Sequence, residues 1–211
     1  GVYLTGRAAR DAAGDQSKAL RVLVGSSVVD AGLTDETRVK ETRGIGVSSD
    51  GARLFVSTRG SRSLHVTPTE GPDGLLVVDI SADPSTGAAR NEAVSFVPMP
   101  EGASRLLVLP RPGRKDLVAI ACTDSDAVAL YDDELGAIVN LVEGVAKPYD
   151  LAVASRAAGG QRLFVASFAG HTVDYIDIPD LGRPGDATLA GRLGATDSPP
   201  AASALCSEEN P

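Results

Sequence analysis

The sequence Leu163-Phe164-Val165-Ala166-Ser167, followed by Tyr175-Ile176-Asp177, decides the fold of this chain because both runs recur along it. The first run has counterparts at residues 2–6, 54–58 and 118–122, and the second at residues 77–79 and 130–132. Polar turns that contain glycine or serine separate the runs. Short apolar runs at a spacing of about ten residues, with turn residues between them, are typical of antiparallel β-strands rather than helices.

Two further apolar runs complete each repeat. One precedes the first run, at residues 46–51, 106–110 and 151–155, and one closes the repeat, at residues 93–97, 138–142 and 187–190. A unit of four short strands with two apolar faces cannot bury both faces alone, and the β-propeller solves this by packing such units around an axis. The sequence therefore predicts an all-β chain that forms a β-propeller, or a propeller arc, of about four four-stranded blades.

The repeats predict one propeller region over residues 1–211, with blades at about 1–43, 44–102, 103–146 and 147–199. Residues 200–211 resemble the first strand of a further or closing blade. Two arrangements are open: this last strand closes a four-bladed ring, or the chain is an arc of a larger propeller. We favour the arc, because four blades is the crowded minimum for this architecture.

The repeat resembles the YVTN/lactonase-like β-propellers. Ser48-Ser49-Asp50-Gly51 is similar to the family's Ser-Pro-Asp-Gly turn, Phe55-Val56-Ser57-Thr58 to its signature strand, and Tyr175-Ile176-Asp177 to its third strand. The Asn of the signature is replaced by Gly6, Thr58, Cys122 and Ser167. The resemblance implies a propeller fold and an extracytoplasmic location, whether periplasmic, at the cell surface or secreted, with a binding or scaffolding role.

Charge and hydropathy limit the classes of partner. The chain carries 20 basic and 28 acidic residues, a net charge of −8, so its surface as a whole repels phosphate backbones and nucleic acid is not expected as a partner. No apolar run approaches the ~20 residues that a membrane-spanning helix needs. We expect no transmembrane segment.

No cofactor or metal is expected from the motifs. The two histidines, His65 and His171, are too few for a zinc site made of histidine alone, and the chain has neither a nucleophile elbow nor a phosphate-binding loop. Asp132 recurs in the repeat as Asp79 and Asp177, which indicates a carboxylate that hydrogen-bonds its own turn. We expect Cys122 to be a buried free thiol, with a disulfide to Cys206 as the alternative.

Five residues near the start of the innermost strands form the candidate ligand-binding site. They are Arg43, Arg105, Lys147, Tyr149 and Asp150. Because the innermost strand of a blade lines the central channel, we expect these side chains just before the first strands, around the channel mouth. A cationic ring there would attract a small anionic ligand even though the protein as a whole is acidic.

The sequence thus favours a non-enzymatic interaction or scaffold module that binds a protein partner, further propeller blades or a small anionic ligand. The loops at residues 8–18 and 67–74 are candidate partner contacts. The alternative is a lactonase-like hydrolase in which Arg and Asp at the channel mouth polarise a carbonyl group.

Overall fold

The computed structural model describes residues 42–59 and 73–194, and within them the chain forms twelve β-strands and two short 3-10 helices. The 3-10 helices span Thr123–Ser125 and Pro184–Asp186. The strands form three four-stranded antiparallel sheets, each in simple chain order. The first sheet contains β1 (Thr42–Val47), β2 (Arg53–Thr58), β3 (Gly74–Asp79) and β4 (Glu92–Pro98). The second contains β5 (Ala103–Leu109), β6 (Leu117–Cys122), β7 (Ala127–Asp132) and β8 (Ala137–Glu143). The third contains β9 (Pro148–Ser155), β10 (Gln161–Ser167), β11 (Thr172–Ile178) and β12 (Thr188–Leu193).

The predicted all-β architecture of repeated four-stranded units is confirmed. The described residues hold three of these units. The unit predicted for residues 1–43 lies outside them except for Thr42 and Arg43, which belong to β1. The segment predicted to close or extend the propeller, residues 200–211, also lies outside the described residues.

The first strand of each sheet is the innermost strand. β1 lies against β5, and β5 lies against β9, so the three sheets meet along their first strands. Glycine makes the closest of these approaches possible. A Cβ atom on Gly44 would lie 2.6 Å from the carbonyl oxygen of Ser104, and one on Gly46 would lie 2.7 Å from a methyl group of Val108. A larger residue at position 44 would push β1 away from the backbone of β5, and one at position 46 would displace the side chains of Leu106 and Val108.

Apolar residues from neighbouring sheets share two cores. The core between the first and second sheets joins Phe55 to Ile120 and Tyr131, and the rings of Phe55 and Tyr131 meet edge to face with centroids 6.3 Å apart. The core between the second and third sheets joins Leu130 to Val165 and other residues of β10 and β11. Because successive residues of a strand point to opposite faces, β6 and β7 contribute to both cores and are buried along their whole length.

Polar contacts lock the outer parts of the sheets together. The side-chain amide of Asn140, on β8, donates hydrogen bonds to the carbonyl oxygens of Pro184, Gly185 and Ala187 at 3.1, 3.2 and 2.9 Å. These three acceptors precede β12, so Asn140 links the outer strand of the second sheet to the segment that leads into the outer strand of the third sheet. Within the described part of the chain, no helix is long and apolar enough to cross a membrane.

Replacing Ile120 by alanine tests the shared core. Ile120 is fully buried between the first two sheets, whereas Leu135 is exposed in the turn between β7 and β8. Ile120→Ala should lower the free energy of unfolding by about 2–5 kcal/mol, because it removes apolar contacts and leaves a cavity. Leu135→Ala should lower it by less than about 0.5 kcal/mol. Urea denaturation of both variants measures the difference, and equal costs would contradict the packing described above.

Candidate functional site

A β-bulge lies near the start of every innermost strand in the described residues. In β1, Thr42 pairs with Thr58 and Gly44 with Ser57, so Arg43 is the extra residue. In β9, Tyr149 is the extra residue between Pro148, which pairs with Ser167, and Asp150, which pairs with Ala166. In β5, Ser104 and Arg105 together oppose Ala121. Bulges bend a strand and redirect side chains. We call this end of the sheets the mouth end.

The bulges correct the predicted position of the candidate residues. The sequence placed all five just before the innermost strands, but Arg43 lies within β1, Arg105 within β5, and Tyr149 and Asp150 within β9. The strands start earlier than their apolar runs because pairing continues past the bulge. Lys147 alone precedes its strand.

Pairing with the second strand of each sheet groups these residues in two sets of equivalent positions. Arg43, Ser104 and Tyr149 form one set, and Gly44, Arg105 and Asp150 form the other. One set therefore contains an arginine and an aromatic residue, and the other contains an arginine and a carboxylate. Arg43, Arg105, Tyr149 and Asp150 are all exposed. The described part of the mouth is thus mixed in charge.

Lys147 interacts with Asp126 in the turn between β6 and β7. Its Nζ lies 3.5 Å from Asp126 Oδ1, and its backbone N–H donates a hydrogen bond of 2.9 Å to the same oxygen. These contacts hold the pKa of Asp126 below its ordinary value, and the backbone hydrogen bond has the largest effect. Asp150 Oδ1 accepts a hydrogen bond of 2.9 Å from the N–H of Leu151.

An apolar groove of about 520 Å³ lies beside Tyr149 at the mouth end. We call it the mouth groove. Its walls include Tyr149, Phe168 and Leu193, which are 54%, 74% and 51% exposed, together with Val173 and His171. Phe168 and His171 lie in the turn between β10 and β11, where His171 adopts a left-handed conformation with φ of +50°. Phe168 belongs to none of the sequence motifs, and its exposure depends on how the turn folds.

The hydrolase alternative needs an acid/base pair at the mouth. Among the described carboxyl groups with a resolved shift, Asp133 alone has a raised pKa, and it lies at the opposite end of the sheets. Nothing in the described geometry at the mouth specifically favours hydrolysis.

Arg111 and Asp132 form a buried ion pair that the sequence did not indicate. Arg111 is 4% exposed, and its two terminal nitrogens donate to the carboxylate of Asp132 at 2.9 and 2.6 Å. Asp132 also caps its own turn as predicted, since Oδ1 accepts from the N–H of Glu134 at 2.9 Å. Burial alone would raise the pKa of Asp132, but the hydrogen bonds and charge of Arg111 outweigh it, and the pKa is lowered.

The cysteine, histidine and contact-loop predictions are the ones that remain. Cys122 is a free, fully buried thiol, as expected, and burial raises its pKa to about 12. His65 and Cys206 lie outside the described residues, as do the candidate contact loop at 8–18 and most of the one at 67–74, whose last residue, Gly74, begins β3. Within residues 42–59 and 73–194, no three His, Cys, Asp or Glu side chains are grouped so that they could hold a metal ion.

Comparison with known proteins defines the fold. No protein-family model matches this chain, and no curated protein sequence matches it. It is similar to the structure of a functionally unknown protein from Desulfotomaculum acetoxidans, with a TM-score of 0.52, 16% identity, and coverage of 74% of this chain and 43% of that chain. It is also similar to Kuenenia stuttgartiensis hydrazine synthase, with a TM-score of 0.50, 18% identity, and coverage of 74% and 36%.

These structural neighbours are β-propeller proteins. The chain has a β-propeller fold. Each four-stranded sheet is a blade, and the first strands of the blades form the hub. At 16% and 18% identity the likeness shows the fold alone, and the chain spans less than half the length of either neighbour.

The buried pair at the end of the second blade predicts an unusual cost of mutation. Arg111→Met should lower the free energy of unfolding by about 3–5 kcal/mol, because it leaves the carboxylate of Asp132 buried without its cation. Arg114→Met is the matched control, because Arg114 pairs with Glu134 where both side chains are well exposed, and it should cost less than about 1 kcal/mol. Urea denaturation at pH 7 compares the two, and similar costs would contradict a stabilising role of the buried pair.

The same pair predicts how acid acts on the fold. A carboxyl group whose folded pKa lies below its unfolded value stabilises the fold above about pH 4, and this contribution is lost as pH falls through the folded pKa. The wild-type free energy of unfolding should therefore fall as the pH drops from about 4 toward 2. Arg111→Met should show a shallower fall, since the lowered pKa of Asp132 depends on Arg111. Parallel pH profiles would contradict this assignment.

Proposed function

We propose that this chain is a non-enzymatic interaction module of a larger β-propeller and that its mouth end binds a protein partner. The observation that carries the proposal is the exposure of Tyr149 and Phe168, two aromatic side chains that line the same groove. Aromatic residues and arginine are enriched in protein interfaces and supply much of their binding energy. Arg43 and Arg105 lie at the same end of the neighbouring blades.

The mixed charge of the mouth favours a protein partner over a small anion. An anion-binding ring needs cations at equivalent positions of successive blades, but Asp150 occupies in the third blade the position that Arg105 has in the second. Charges of both signs around an aromatic centre suit a partner with complementary charges, which fix its orientation. A small anionic ligand on Arg43 and Arg105 is the second candidate, and the experiment below distinguishes the two.

The outward face of the third blade supports membership of a larger ring. Phe164 and Tyr175 take the positions in their blade that Phe55 and Val77 take in the first, where those residues are buried against the second blade. The third blade thus repeats an apolar face that the other described blades bury against a neighbour. A further blade of the same design would fit against it.

We also propose that the repeat is of the YVTN/lactonase-like type and that the protein acts outside the cytoplasm. The turn from Ser48 to Gly51 supports the first part: the N–H of Gly51 donates to the carbonyl of Ser48 at 2.9 Å, and Asp50 accepts from the N–H of Ala52 at 2.9 Å. Gly51 has φ of +72°, the conformation that explains a glycine at the end of this turn. The compartment rests on the resemblance.

Site-specific photo-crosslinking tests the partner. A photoreactive amino acid in place of Tyr149 or Phe168, in the protein expressed in its native cell, should give a discrete crosslinked species. The same group in place of Leu135, which is exposed at the opposite end of the sheets, should not. Arg105→Glu should remove the crosslink, because it reverses a charge next to the aromatic centre. Equal crosslinking at Tyr149 and Leu135 would contradict a mouth interface.

Calorimetry with citrate as the probe tests the second candidate. If the mouth binds small anions instead, citrate should bind the wild-type protein, and Arg43→Glu with Arg105→Glu should abolish this binding. Absence of the crosslink together with citrate binding would replace the protein partner by an anionic ligand.

A further inference from the structure

A second groove lies at the end of the sheets opposite the mouth. It has a volume of about 700 Å³ and lies between the first two blades, where the turn after β1 meets the loop after β5. We call it the lower groove. The side chains on its walls that matter here are Asp50, Arg111, Arg114, Lys115, Asp116 and Asp133. The lower groove shares none of its lining residues with the mouth groove, so it is independent of the function proposed above.

Asp133 is the unusual residue of this groove. It is 8% exposed. Within residues 42–59 and 73–194, burial and nearby charges act on its carboxylate, but no group donates a hydrogen bond to it. Its backbone N–H donates to the carbonyl of Asp116, which fixes the residue at the wall. The carboxylate oxygens of Asp133 are not among the buried side-chain atoms that lack a partner, so they are reachable from the groove. A carboxylate that is mostly buried and receives no hydrogen bond from the protein is stabilised by a ligand that supplies a donor.

The neighbouring carboxylates already have donors. Asp116 accepts hydrogen bonds from the backbone N–H and the hydroxyl of Ser49, at 2.6 and 2.8 Å. Asp50 accepts from the hydroxyl of Ser48 and from the N–H of Ala52. Asp133 therefore differs from the other carboxylates in the groove.

The arginines on the wall are engaged elsewhere. Arg111 donates to Asp132 and, through Nε, to the carbonyl of Lys115 at 2.5 Å. Arg114 donates to Glu134 at 2.7 Å.

The electrostatic surroundings of Asp133 combine both signs of charge. Burial raises its pKa first, and the negative charges of Asp50 and Asp116 raise it further. The positive charges of Lys115 and Arg53, which act more strongly than those of the two carboxylates, lower it. A ligand that brings both a positive charge and hydrogen-bond donors to Asp133 would therefore stabilise its ionised carboxylate most.

We propose that the lower groove binds an organic cation, a ligand that carries a primary ammonium or guanidinium group, and that Asp133 is the residue that pairs with it. A cation of this kind supplies the donors that the carboxylate lacks and fits a groove that is much larger than a single ion. A metal ion suits the site less well, because Asp50 and Asp116 already accept hydrogen bonds and the described residues provide no three-ligand cluster.

A bound water is the competing explanation. A water molecule that enters the lower groove would donate a hydrogen bond to the carboxylate of Asp133. In that case the groove would need no ligand.

Binding of methylguanidinium and butylammonium to the 211-residue protein tests the proposal. Both should bind the wild-type protein in calorimetry, and Asp133→Asn should weaken binding about tenfold or more, because a charged hydrogen bond is lost. Asp83→Asn is the control with the same change in net charge. Asp83 is half-buried, lies outside the lower groove and accepts a hydrogen bond from the N–H of Ser85 in its own turn, so this variant should retain wild-type affinity. Absence of binding, or equal weakening in both variants, would overturn the proposal.

Carbon-detected NMR of the Asp133 carboxyl group gives a second readout that does not depend on how the variant folds. Saturation with methylguanidinium should lower the pKa of Asp133, since a bound cation favours the ionised carboxylate. An unchanged titration of Asp133 would overturn the proposal in favour of the bound water. Acetylated tripeptides with a central Arg or Lys identify the source of the cation: tighter binding than the free compounds indicates a side chain of a protein, and equal binding indicates a free organic cation.

Discussion

The packing of one apolar sheet face on the next is the interaction on which this structure depends. β6 and β7 of the second blade are buried at every position, because one face contributes to the core with Phe55 and the other to the core with Val165. A sheet with two apolar faces needs a neighbour on both sides, and blades arranged around an axis provide it. The third blade has such a neighbour on one side in the described residues, so the same requirement makes its outward face the place for another blade.

The two ends of the sheets differ in how strictly their residues repeat from blade to blade. At the lower end, an Asp recurs at the end of the third strand of each blade, and each of these carboxylates meets arginine: Asp79 with Arg53 and Arg90, Asp132 with Arg111, and Asp177 with Arg156 and Arg162. These pairs fix the ends of the strands. At the mouth end, the residues at the bulges differ from blade to blade: the extra residue is Arg43 in the first blade and Tyr149 in the third. The repeated fold therefore presents a varied surface at the mouth, which is where we place the protein partner.

The repeat was predictable from the sequence, but the local geometry of the site was not. Apolar runs and turn residues indicated the four-stranded units. Thr58 and Ser167 occupy the positions equivalent to Cys122, which indicated that this position requires a small side chain and that the thiol is buried. A bulge leaves no pattern in a single sequence, because it depends on how two strands pair. Arg43 was therefore predicted just before the first strand, whereas it lies within β1. The pairing of Arg111 with Asp132 was missed because the two residues are 21 positions apart and meet only in the folded chain. That Asp133 receives no hydrogen bond from the protein is likewise a property of the folded chain.

An experimental structure of the protein in its native assembly is the most direct test of the account. The account predicts three four-stranded blades around one hub and a fourth four-stranded sheet packed on the face that carries Phe164 and Tyr175, supplied by this chain or by another. A structure in which that face lies open to solvent, or is covered by a helix, would contradict the claim that these blades form an arc of a larger propeller.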